Sequence, residues 1–133
     1  MFFKKAMRIG IDARFYGSQD KGLGRYSQKL LENLEKIDGG SDREYLVFLR
    51  QKGFEQYQPG ASNFKKVLAD YPWYSWSEQI LFPWRLYRYH LDLVHFCHFN
   101  VPIFYWKKYV VTIHDLILFH YPTVRNKIGR AHV

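Results

Sequence analysis

Three groups of residues have types and spacings that could do chemistry: Gly22-Leu23-Gly24-Arg25, then His95 with Cys97 and His98, then the adjacent His114 and Asp115. Glycines at the opening of a helix let a ligand approach unpaired backbone N–H groups at the positive end of the helix dipole, a place that suits phosphate. The same pair also fits an ordinary tight turn between packed elements. His114 beside Asp115 can donate or accept a hydrogen bond near neutral pH, so it could hold a substrate hydroxyl or steady developing charge; the alternative is a histidine that only closes the strand before it. His95, Cys97 and His98 carry metal-capable side chains. Alternate residues of a strand face opposite ways, so His95 and Cys97 share a face and His98 does not, and no metal is expected. Nothing around Cys97 marks it as an activated nucleophile.

These groups fall where predicted elements end. Arg8 to Asp12 reads as a buried strand, Ala13 to Gly22 as a polar, mobile loop above the sheet, and Leu23, Tyr26, Leu30, Leu34 and Ile37 as the apolar stripe of a helix that Asp38-Gly39-Gly40 stops. Tyr45 to Leu49 is a continuous apolar run, as in a strand covered on both faces. Gln51 to Asn63 is a weakly patterned connection, and Phe64 to Leu68 a third strand. Trp76, Ile80, Trp84, Tyr87 and Leu91 mark one face of a second helix, with Ser75 or Ser77 as N-cap and Pro83 expected to kink it or reset its start. Leu91 to His95 and Tyr109 to Ile113 complete the strands, the last expected to be buried. Strands alternating with helices predict an α/β fold, a Rossmann-like parallel sheet flanked by helices, whose ligands bind beyond the strands' carboxyl ends. All three polar groups lie at such ends.

At 133 residues and 47% hydrophobic content the chain can bury one real core, which excludes a disordered protein. The net charge of +8 favours an anionic partner. The basic residues are dispersed, so nucleic acid is not expected. A lone cysteine leaves no intrachain disulfide and points to a cytoplasmic setting. Met1 to Met7 lacks the apolar region of a secretory signal, and Lys107, Lys108, His114 and Asp115 interrupt the apolar run from Val101 to Tyr121 too early for a membrane-spanning helix. Gly22 to Ser27 departs from the dinucleotide fingerprint, because Ser27 replaces its third glycine and the glycines stand ten residues beyond the strand.

In order along the chain, Arg8-Ile9-Gly10-Ile11-Asp12-Ala13-Arg14, Gly22-Leu23-Gly24-Arg25-Tyr26, Asp92-Leu93-Val94-His95 with His98 and Pro102, and Val110-Val111-Thr112-Ile113-His114-Asp115-Leu116 with Pro122 resemble the N-terminal half of a family 4, retaining, GT-B type glycosyltransferase. The resemblance implies sugar transfer from a nucleotide-sugar donor to a glycan or lipid-linked acceptor held mainly by this domain. It implies donor phosphates near Gly22, Leu23, Gly24 and Arg25, His114 beside the transferred sugar, and substrate contacts from His98 and Asp115. No cofactor or metal is implied. Peripheral contact with the inner face of the cell membrane is compatible with the aromatic, basic stretch Tyr71 to Tyr89. Two readings compete: a non-enzymatic basic aromatic domain that binds anionic membranes, and another nucleotide-binding enzyme.

The expected organisation is an extension over residues 1–7, with Met7 a candidate start, and an incomplete Rossmann-like domain over 8–127 that lacks the second domain of such enzymes. Residues 128–133, Ile-Gly-Arg-Ala-His-Val, resemble a reading-frame translation of a common sequencing adapter and are expected to be a non-native tail on a truncated product.

Overall fold

The computed structural model describes residues 5–17, 21–98 and 100–114. Strands β1 (Arg8–Asp12), β2 (Glu44–Leu49), β3 (Phe64–Leu68), β4 (Leu93–Phe96) and β5 (Tyr109–Val111) form one all-parallel sheet in the order β3-β2-β1-β4-β5. With helices α1 (Lys21–Asp38), α2 (Gln51–Gln56) and α3 (Trp76–Arg88) between strands, this is the Rossmann-like α/β fold that the alternation predicts. β1 and β3 occupy their predicted spans, whereas β4 starts at Leu93 rather than Leu91 and β5 ends at Val111 rather than Ile113. Asp115 and the 128–133 tail lie outside the described residues.

The period of two along β2 divides the core. Leu46 and Phe48 face one cluster with Phe82 and Leu86 of α3, while Tyr45, Val47 and Leu49 face another with Leu31 of α1 and Tyr57 after α2. Both faces of the sheet are therefore covered, and β2 is buried from Tyr45 onward, as its apolar run requires. The short α2 occupies part of the stretch that had read as a weak connection.

Several expectations need correction. In α1 the buried line is Gly24, Ser27 and Leu31, with Leu30 and Leu34 half-buried, and Ile37 is 81% exposed. The last turn of α1 is fixed instead by polar groups: Tyr45 donates its hydroxyl to Asp38 at 2.6 Å, and Asn63 donates to the Asp38 carbonyl at 3.0 Å. Gly40 then takes φ +81°, a left-handed turn suited to glycine, and donates its N–H to Asn63 Oδ1. The loop after β1 is not a polar lid from its first residue, because Ala13 and Arg14 are buried. β5 is not buried: Val110 and Val111 are exposed, since among the described residues this strand pairs only with β4. β-branched residues report strand preference, whereas burial depends on the neighbours a strand receives.

The largest correction concerns α3. Of its predicted apolar face, Trp76, Ile80 and Trp84 are 80%, 54% and 62% exposed, whereas Tyr87 is half-buried and Leu91, beyond the helix, joins the core; the buried face of the helix is Glu78, Phe82, Pro83 and Leu86. Both sets recur at helical spacing, so periodicity could not rank them. Ser75 is the N-cap, its Oγ accepting the Glu78 N–H at 3.1 Å. Pro83 does not reset the start; it lies inside a helix that begins at Trp76, with its ring buried.

Candidate functional site

Strand order reverses between β1 and β4, and the residues following those strands meet across that switch point. A file of rings runs along the carboxyl edge. Trp73 stacks on Phe15 with centroids 4.4 Å apart, Phe15 lies 5.1 Å from His98, His98 lies 6.5 Å from His114, and Tyr26 meets His114 edge-on at 4.5 Å. The rings come from the segments after β1, β3, β4 and β5 and from α1, so only the parallel sheet assembles them.

His114 is exposed, and its Nε2 lies 2.6 Å from the Cys97 carbonyl. A carbonyl only accepts, so Nε2 carries the proton and Nδ1 is the acceptor of the neutral ring. Tyr26 fixes the neighbourhood further: its hydroxyl is 2.9 Å from Thr112 Oγ1, which is 2.8 Å from His95 Nε2. These contacts place the first turns of α1 beside His114. In that helix Gly22 and Arg25 are exposed, Leu23 is half-buried and Gly24 is buried. The glycines therefore sit within the first turns of α1 rather than ahead of it. The structure thus brings together His114, His98 and the glycine-bearing turn, while Asp115 lies outside the described residues.

Burial lowers the His95 pKa, with Asp12 opposing, which keeps the ring neutral near pH 7. Cys97 is buried among Ile11 and Leu31, and that burial pushes its thiol pKa well up, so it is a core residue and not a nucleophile. Among the described residues no group of three or more His, Cys, Asp or Glu side chains could hold a metal ion.

Beneath this edge lies a charge knot that sequence reasoning missed. Arg14, 2% exposed, binds Asp12 through Nε at 2.8 Å and Nη2 at 3.0 Å, and Glu78 through Nη1 at 2.7 Å. Its guanidinium also lies 4.2 Å from the Phe82 ring centroid. Burial opposes the arginine's charge, but the two carboxylates outweigh it and raise the Arg14 pKa. Glu78 accepts from both Asn100 Nδ2 contacts, at 2.8 and 2.9 Å, and from the Tyr74 N–H at 2.8 Å. The knot ties the loop after β1, the start of α3 and the segment after β4 into one rigid base. A Ser-x-x-Glu capping box at Ser75 and Glu78 was the available signal for Glu78. Nothing local linked either residue to Arg14.

A cleft of about 580 Å³ opens on the β1–β2–β3 side of the edge, lined by residues that include Phe15, Tyr16, Arg50, Lys52, Asp70 and Trp73. Arg50 lies over the Trp73 ring at 4.7 Å and pairs with Asp70 at 3.0 Å. Gly53 is required at its wall, because a Cβ there would stand 2.6 Å from the Tyr16 carbonyl oxygen. None of the predicted site residues lines this cleft; Phe15 and Trp73 join it to the ring file. No family model, curated protein or solved structure matches the chain.

Proposed function

We propose that this chain is the acceptor-side, Rossmann-like domain of a retaining GT-B type glycosyltransferase, using a nucleotide-sugar donor and a glycan or lipid-linked acceptor. The supporting observation is the edge-on contact of Tyr26, two residues beyond Gly24 in α1, with His114 at the carboxyl edge. In this reading the N–H groups at the start of α1 face the donor diphosphate. His114, held by the Cys97 carbonyl at Nε2, offers Nδ1 to a hydroxyl of the transferred sugar and helps stabilise the transition state, with His98 contacting substrate beside it. The bond from the sugar to the diphosphate breaks as the acceptor oxygen bonds the same carbon, and the acceptor proton leaves toward the diphosphate. In this reading a second Rossmann-like domain supplies most nucleotide contacts.

Saturation-transfer NMR against a panel of nucleotide-sugars and dinucleotides tests this. Nucleotide-sugar signals should saturate, and His114→Ala or Gly22→Val should weaken them by about tenfold, the loss of one good polar contact or of close backbone approach. Equal saturation by dinucleotides, or indifference to both substitutions, would overturn the proposal.

A further inference from the structure

Among the described residues the outer face of α3 continues into the turn that precedes β5. The Ile103 N–H donates to Gln79 Oε1 at 2.9 Å, the Trp106 N–H donates to the Tyr87 hydroxyl at 2.7 Å, and that hydroxyl donates to the Phe104 carbonyl at 3.2 Å. Tyr105 turns inward and is 3% exposed, which anchors the turn, while Ile103, Phe104 and Trp106 are 67%, 44% and 79% exposed. With Trp76, Ile80 and Trp84 of α3 they are the exposed apolar side chains of two segments that these hydrogen bonds tie together.

Its charge is one-sided. Between Ser77 and Leu91, and between Val101 and His114, the one acidic residue is Glu78, which is fully buried in the knot with Arg14. Arg88 borders the helix side, its guanidinium 5.2 Å from the Trp84 ring centroid, and Lys107 and Lys108 follow the turn. Exposed tryptophans bordered by cations that pair with no carboxylate among the described residues suit the boundary between lipid head groups and acyl chains, where ring and charge are both satisfied. A protein partner would need to bring its own acidic rim to this face. No helix among the described residues is long and apolar enough to cross a membrane, so contact here is lateral.

We infer that the outer face of α3 and the Ile103–Trp106 turn form a seat for an anionic lipid surface. The seat does not depend on the sugar-transfer reading. It lies across α3 from the Glu78 side and shares no residue with the ring file.

The test is cosedimentation and tryptophan fluorescence with vesicles of phosphatidylcholine mixed with phosphatidylglycerol, against pure phosphatidylcholine. The chain should partition to the anionic vesicles, with blue-shifted emission quenched by brominated acyl chains, and about tenfold less to neutral ones. Trp84→Ser with Trp106→Ser should lower partitioning about tenfold, and Arg88→Glu with Lys107→Glu should abolish the preference for anionic lipid. Lys36→Glu with Lys52→Glu, the same charge change on α1 and α2, should leave partitioning intact. Circular dichroism melts of each variant confirm folding. Failure to partition, or equal loss in the Lys36 and Lys52 variant, overturns the inference. So does self-association without vesicle binding that the tryptophan substitutions remove, because the face would then dock a second copy.

Discussion

The two sides of α3 invert the usual rule for a helix. The inner side buries a carboxylate, Glu78, at 0% exposure, and the outer side leaves Trp76 and Trp84 mostly in water. The inner side works because the charge is answered: Arg14, Asn100 and the Tyr74 N–H all meet Glu78, and Asp12 shares the arginine. The outer side meets little of the protein: the Arg88 guanidinium lies 5.2 Å from the Trp84 ring centroid, and Trp76 is 80% exposed. Amphipathic spacing therefore identifies a helix without saying which of its faces is inner; an available partner for the polar group decides that.

Breaking the inner side should have the largest effect. Arg14→Met leaves Asp12 and Glu78 buried without a cation and should cost about 3–5 kcal/mol in a urea unfolding curve, whereas Glu78→Gln, which keeps the Arg14–Asp12 pair, should cost about 1–3 kcal/mol. Equal effects would show that Glu78 rather than Arg14 is the centre of the knot.

High pH probes a second buried polar seam, on the α1 side of the sheet. Burial and the Glu35 carboxylate, 2.9 Å away, push the Tyr57 pKa up, and burial with Asp38 pushes Tyr45 up to about 12. Folding favours the protonated phenols, so their contribution is complete below the ordinary tyrosine pKa of about 10 and is lost as pH rises toward the folded values. Thermal melts should lose stability from about pH 10 upward, and Tyr57→Phe should flatten that loss. An unchanged slope in Tyr57→Phe would assign the alkaline response elsewhere.

The outer side should give the smallest effect. Trp84→Ala should change unfolding free energy by no more than about 0.5 kcal/mol, as for an exposed position without a buried partner. A larger loss would mean that the outer face is packed in solution, and the contrast between the two sides of α3 would fail.

β1, β2 and β4 were legible because they combine apolar residues with turn residues at their ends, while β3, with Lys65 and Lys66 inside it, carries a weaker pattern; the helix from Trp76 to Arg88 was legible because its cap and period agree. β5 was legible as a strand but not as an exposed one, since Val110 and Val111 carry the same local preference at an edge as in a core. In the candidate site, His98 and His114 could be expected at strand ends. Tyr26, Phe15 and Trp73 could not, because an aromatic residue in a helix or loop carries no sign of which ring it will meet.

By itself the sequence determined the parallel α/β architecture and the positions of its chemical groups along the chain, because hydrophobic period and turn chemistry act over a few residues. Only the tertiary structure decided that Arg14 joins Asp12 to Glu78, that the file of rings joins four strand-following segments to α1, and that α3 faces its tryptophans outward. Those outcomes depend on contacts between segments far apart in the chain, where burial, charge compensation and packing are settled together and no local pattern records the result.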